Sequence, residues 1–397
     1  MRRLIGLLLV AAMVFGVLSG CAEEKPAAPA KPATPPQPAA PTEIKIGVSA
    51  PITGTIPVVG RGTKLGAEMA AEEVNAKGGL KVGDKQLKVR LIIEDSANDP
   101  KQTAAVFQKL ITKDEVVAII GDQASKCSMA GGPIAQSNGV PMVTPWSTTD
   151  AVTAGKDYVF RACFTNSYQA GMMAKYAWET LKYKTAAVLF DINSDSVKDL
   201  AEKFSAAFKK LGGQVVSYES YTTGDKDFSA QLTKIKAGKP DCMYIASYYD
   251  EGGLQVRQAR KLGIKAPILG TDGWDSPELI DLGGKDMEGV LFTDHYAIDI
   301  ASPKAKVFID AYNKKHNLIP DAPAALTYDA AMLVFKAIEK AGKLDRKAIR
   351  DALSTTEYEG VTGYIKFKPG SGDPDKDVII VEIKGGKFTY KAMVKAS

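Results

Sequence analysis

The sequence predicts an α/β protein built as two doubly wound, parallel-sheet lobes. Three observations carry this reading. From Ile44 onward, short and nearly continuous apolar strands alternate with helical patterns, as parallel sheets covered on both faces require. The alternation runs through most of the 397 residues, too much chain for one sheet. Successive strands also run into loops rich in small polar residues, which places a cleft beyond their carboxyl ends.

The strand candidates, in order, are Ile44–Val48, Leu87–Ile93, Val116–Ile120, Val140–Val143, Ala186–Phe190, Gln214–Tyr218, Cys242–Ala246, Ile268–Leu269 and Val290–Phe292. Helical spacing falls at Gly62–Ala76, Lys101–Lys113, Tyr168–Leu181, Ser196–Leu211, Phe228–Lys236 and Gly253–Leu262. In the first of these, Leu65, Met69 and Val74 mark one side. The C-terminal stretch reads as strands Gly363–Phe367, Val378–Ile383 and Lys387–Val394, joined by Gly- and Asp-rich turns.

Composition is that of a soluble globular protein, 45% hydrophobic and 24% charged. A net charge of +5, spread without a basic block, gives no reason to expect nucleic acid. The two histidines, His295 and His316, leave few candidates for a metal site or a Ser-His-Asp triad. No catalytic residue is expected, because no nucleophile has an evident base beside it.

At the N-terminus, Met1-Arg2-Arg3 followed by the apolar run Leu4 to Leu18 reads as a signal peptide over 1–20. The run is too short to span a membrane, which takes about 20 apolar residues. Leu18-Ser19-Gly20-Cys21 resembles a bacterial lipobox, which implies cleavage before Cys21 and its acylation. The Pro- and Ala-rich segment to residue 43 behaves as an extended tether. Cys127, Cys163 and Cys242 remain, without CxxC spacing, and are expected as buried unpaired thiols.

The loops carry the functional signal. VPMVTPWSTTD (140–150) sets a tryptophan against three consecutive hydroxyl residues. GDQASKCS, SYYDEGG and GTDGWDS follow three other strands. Hydroxyls and N–H groups in the earlier loops suit an anion; an acid with aromatics in the later ones suits a cation with an organic body. Each has a plainer reading: Ser125 and Ser128 as helix caps, Asp272-Gly273 as a turn pair, Tyr248-Tyr249 as strand-end aromatics. Only their convergence at matching strand ends favours a cleft.

IKIGVSAPITG, AAEEVNAKGGL, EDSANDPKQTAAV, GVPMVTP, FRACFTNSYQA, GDKDFSAQLTKIK, YYDEGGLQVRQARKLGIKAPILGTDGW and ALTYDAAMLV occur in this order. In them the chain, from Ile44 to about Met393, resembles the leucine/isoleucine/valine-binding group of periplasmic solute-binding proteins, of type I fold, which serve ABC importers. The resemblance implies lobes joined by a three-strand hinge, with crossovers after Cys163, near Asp294 and near Pro374. Lobe one would be 44–163 plus 294–374, and lobe two 164–293 plus 375–397. It also implies an amino-acid clamp. Ser125 matches the serine that binds the ligand carboxylate, Ser147 and Thr148 the backbone-and-hydroxyl pair, Asp272 the ammonium-binding acid and Tyr248 a pocket tyrosine. Trp146 and Trp274 are expected as walls, the latter from its place beside the acid.

Three features depart from the family. A pocket aromatic falls near Asp195, where this chain has none; Val59 stands where the family has a tryptophan; and cysteines near Asn98 and Ala124 are missing together. The reading is a monomeric, lipid-anchored, extracytoplasmic protein, non-enzymatic, that captures a branched-chain or other aliphatic amino acid and passes it to ABC permease subunits. No metal or cofactor is needed for such binding. The same fold binding an aliphatic amide, urea or aromatic acid, or acting as a non-transport sensor, stays open.

Overall fold

A computed structural model describes residues 42–395. The expected signal peptide and lipidation site at Cys21, and nearly all of the expected tether, lie outside the described residues. The first sheet contains β1 (Glu43–Ala50), β2 (Leu80–Val82), β3 (Lys85–Asp95), β4 (Ala118–Ile120), β5 (Met142–Thr144) and β6 (Val159–Arg161), in the order β2-β3-β1-β4-β5-β6. α1 (Pro57–Ala76), α2 (Pro100–Thr112) and α3 (Ser125–Ser137) connect its parallel strands. β1 pairs with β3 on one side and β4 on the other, so the winding reverses there. Ligands of open α/β sheets bind at such a reversal.

The second sheet is mixed. α4 (Asn166–Lys175), which runs on through a π-helical turn to Thr180, leads into β7 (Thr185–Asp191), α5 (Asp195–Lys210), β8 (Gln214–Tyr221) and α6 (Ser229–Gly238). Then come β9 (Cys242–Ala246), α7 (Tyr249–Lys261), β10 (Ile268–Gly270), α8 (Pro277–Gly283) and β11 (Leu291–Asp294). α9 (Pro303–His316), α10 (Ala322–Ala341) and α11 (Arg346–Leu353) follow. A small antiparallel sheet of β12 (Glu357–Gly360), β13 (Gly363–Phe367) and β14 (Pro374–Asp375) precedes β15 (Val378–Lys384) and β16 (Lys387–Val394). β15 and β16 join the second sheet antiparallel at the β11 edge, giving the order β16-β15-β11-β10-β9-β7-β8.

Burial explains these elements. Every residue of β4, β5, β6, β9 and β10 is buried, and β4, β9 and the start of β5 accordingly read as apolar runs, whereas β6 ends in Arg161. α10 packs between layers, with fifteen of its twenty residues from Ala322 to Ile338 buried. It starts at Asp321, whose side chain accepts the Ala324 N–H at 2.9 Å, and ends at Gly342 with φ +63°, a left-handed cap that a side chain would disfavour. Cys127, Cys163 and Cys242 are buried and unpaired, and burial pushes each thiol up to about 12. Among the described residues no helix is long and apolar enough to cross a membrane.

Candidate functional site

The segments after four strands and the start of α5 converge on one pocket. It is lined by Gln123 and Ser125 after β4, Trp146 and Thr148 after β5, and Ser196, Val197 and Leu200 of α5. Ser247 and Tyr248 after β9, and Thr271, Asp272 and Gly273 after β10, complete the lining. With its mouth included the space is about 330 Å³.

One wall is built to receive an anion. Ser125 opens α3, whose first amide groups have no intrahelical acceptor and sit at the positive end of the helix dipole. Its hydroxyl accepts the Thr149 N–H at 3.2 Å, tying the β4 and β5 loops together. Thr148 lies beside it, 5% exposed. The β5 loop is held from behind by Arg161 of β6, fully buried. Its guanidinium donates to the carbonyls of Ser147 at 2.6 Å and Thr149 at 3.0 Å and pairs with Asp373 at 2.6 Å. With the loop's carbonyls engaged behind it, Thr148 is left at the pocket lining.

The opposite wall carries a carboxylate. Asp272 is 5% exposed and accepts from Gln169 Nε2 on Oδ1 at 2.8 Å; its Oδ2 lies 3.2 Å from His295 Nε2. Burial pushes the His295 pKa down, which outweighs the opposing pull of Asp272 and keeps the ring neutral. Among the described residues no lysine or arginine pairs with Asp272. A buried carboxylate lined by neutral donors, with further lone pairs available, is a place for a cation. Tyr248 lies nearby, and burial with Asp272 close by raises its pKa, so it is a neutral phenol. Its ring meets Trp146 edge to face, centroids 6.3 Å apart. Trp146 Nε1 and Gln123 Oε1 are buried without a hydrogen-bond partner among the described residues.

Of the seven residues expected from the sequence, Ser125, Trp146, Thr148, Tyr248 and Asp272 come together here. Two do not reach the pocket, which corrects the expected clamp. The Ser147 hydroxyl turns inward to the carbonyls of Asp122 and Gln123 and to Ser128 Oγ at 2.7 Å, while its N–H is taken by Thr144 Oγ1. Trp274 is fully buried and packs beneath the loops after β9 and β10 instead of lining the pocket. Its indole N–H donates to Ser247 Oγ at 2.9 Å, and its ring lies where a Cβ on Gly270 would approach within 2.3 Å.

Where the pocket aromatic near Asp195 is missing, Val197 and Leu200 supply an apolar wall from α5. Val59 is buried in α1, away from the lining. Asn98, near which a cysteine is missing, accepts from the Cys127 thiol at 3.7 Å. Gln123, Arg161, Gln169 and His295 were not singled out by sequence reasoning as site residues. An arginine inside the apolar run VFRACF is the one local sign that could have drawn attention to Arg161.

Comparison with known proteins agrees with this fold. A family model described as periplasmic binding protein matches residues 43–387. A Leu/Ile/Val-binding protein homolog of Brucella melitensis is 38% identical over 309 residues, covering 77% of this chain and 81% of the relative. The crystal structure of a leucine-binding protein from Thermotoga maritima is 40% identical, with TM-score 0.83, covering 89% of this chain and 99% of that one. A branched-chain amino acid transporter substrate-binding protein of Streptococcus pneumoniae, solved with isoleucine, is 32% identical with TM-score 0.82, covering 89% and 100%.

Proposed function

The chain belongs to the periplasmic binding protein family, and from that membership we propose that it captures a small aliphatic amino acid for an ABC importer. The observation that carries this is Asp272, a buried carboxylate with only neutral partners, facing Ser125, Thr148 and the start of α3 across one pocket. An α-ammonium fits the first and an α-carboxylate the second. Charge-assisted hydrogen bonds at both ends of a zwitterion give specificity in a dry site. Val197, Leu200, Trp146 and Tyr248 leave an apolar surround for the side chain. The relatives named for leucine, isoleucine and valine support a branched-chain ligand.

Binding, with no bond made or broken, is the activity. The two sheets act as the cores of two lobes, 44–163 plus 294–374 and 164–293 plus 375–397, that close on the ligand. Ser196 Oγ of α5 meeting Ser125 Oγ at 3.4 Å, and Lys203 meeting Asp150 at 3.4 Å, support a closed arrangement. Ligand contacts made only when the lobes meet would select that state. The protein is a monomer held at the outer face of a membrane through acylated Cys21 and delivers its ligand to permease subunits.

A thermal-shift screen of the mature protein tests the ligand class, since binding to the folded state raises Tm by mass action. Leucine, isoleucine or valine should raise Tm by several degrees. A rise only with amides, urea or aromatic acids would overturn the amino-acid reading.

A further inference from the structure

Asp272 owes its orientation to two residues that come from different passages of the chain between the sheets. Gln169 lies early in α4, just after the chain leaves the first sheet, and is fully buried. Its Nε2 donates to Asp272 Oδ1 at 2.8 Å, and its Oε1 accepts from Thr293 Oγ1 at 2.8 Å. The Thr293 hydroxyl thereby fixes which end of the amide faces the acid. His295 follows β11 and is 2% exposed. Its ring stacks on Phe164 with centroids 3.8 Å apart, Nε2 faces Asp272 Oδ2 at 3.2 Å, and Nδ1 has no hydrogen-bond partner among the described residues. Both carboxylate oxygens are thus held by a neutral donor from the rear.

We propose that Gln169 and His295 are positioning residues that make an α-ammonium a requirement for binding. They fix the Asp272 carboxylate toward the pocket without supplying a cation of their own. An acid paired with lysine or arginine at this place would be neutralised internally, and a ligand without an amine would fit as well. Held by neutral donors, Asp272 keeps its need for a positive partner, so an amino acid gains where its hydroxy analogue does not. This rests on the amino-acid reading of the pocket, so the wild-type protein is measured first.

Calorimetric titration with leucine and with leucic acid, in which a hydroxyl replaces the amine, gives the discrimination ratio. Gln169→Met and His295→Phe each remove the donor while keeping bulk and, for the latter, the stack on Phe164. Each should lower leucine affinity about five- to tenfold, the effect of one modest hydrogen bond, with leucic acid affinity little changed. His295→Gln, which keeps a neutral donor, should restore most of the ratio. Thr293→Val, which only frees the Gln169 amide, should give a smaller loss of the same kind and covers the case in which the larger changes unfold the chain. If leucine and leucic acid weaken equally in these variants, or the ratio stays at its wild-type value, the positioning role is wrong. A wild-type protein that fails to discriminate would instead overturn the zwitterion reading itself.

Discussion

Replacing Asp272 with asparagine removes one negative charge and almost no volume. In the folded protein the new side chain can keep both rear contacts. Its oxygen accepts from Gln169 Nε2, and its amide donates to His295 Nε2 once that ring carries its proton on Nδ1, which has no hydrogen-bond partner among the described residues. Stability without ligand should therefore change by less than about 1 kcal/mol. The ligand meets a different balance. Truncating one partner of a buried charge pair costs about 2–5 kcal/mol. Here the asparagine oxygen still accepts one hydrogen bond from the ammonium, so the lower part of that range applies. A loss of about 2–4 kcal/mol is about thirty- to several-hundred-fold in affinity for leucine, isoleucine or valine. Calorimetry measures the affinity, and a melting curve of the ligand-free protein controls for folding. Near wild-type affinity in Asp272→Asn, or a large fall in the melting temperature of the ligand-free protein, would refute the reasoning and return Asp272 to the role of a turn residue.

Three other outcomes follow. Arg161→Met should destabilise the protein by about 3 kcal/mol, because it breaks the ion pair with Asp373 and leaves the carbonyls of Ser147 and Thr149 without their donor; urea unfolding giving less than about 1 kcal/mol would contradict this. Burial, with Asp275 close by, pushes Asp321 up to about 7 from an ordinary value of 3.8, so the folded state holds a proton that the unfolded state has released. That contribution is fully present below the ordinary value and is lost as pH rises toward the folded one. Asp321→Asn, which keeps the cap on α10, should therefore gain Tm relative to wild type as pH is raised from about 4 to about 7; a constant difference would count against it. Cys21→Ser should move the protein from membranes to the soluble fraction, and continued pelleting with no palmitate label on the wild type would end the lipoprotein reading.

Much of the fold was legible because its strands are short and buried on both faces. Cys242–Ala246 is bounded as the sequence suggests, five apolar residues between Asp241 and Ser247. Gly363–Phe367 and Lys387–Val394 also stand where turn glycines place them. β2, β6, β12 and β14 were missed, since each is short and none is an apolar run: lysine interrupts β2, Arg161 ends β6, two glutamates fall in β12, and β14 is Pro374-Asp375. The pocket was legible to the extent that a residue's role follows from its strand end. Direction was not. Ser147 and Thr148 are adjacent hydroxyl residues, yet only the second reaches the pocket, because the first is drawn into contacts with Asp122, Gln123 and Ser128. The Asp272 supports were hidden by distance along the chain: Gln169 lies 103 residues away, and no local pattern joins the two. His295 is 23 residues away and drew notice only as one of two histidines. Trp274 was misread because an aromatic beside an acid looks the same in sequence whether it faces a ligand or the core.

The central claim is that this pocket reads both ends of a zwitterion. Titrating the unmodified mature protein with leucine and then with leucic acid tests it most directly, because the two ligands differ only in the amine that Asp272 is held to receive. Leucine should bind at least about a hundredfold more tightly, in line with a buried charge pair lost. Equal affinities, or no measurable binding of leucine, isoleucine or valine, would contradict it.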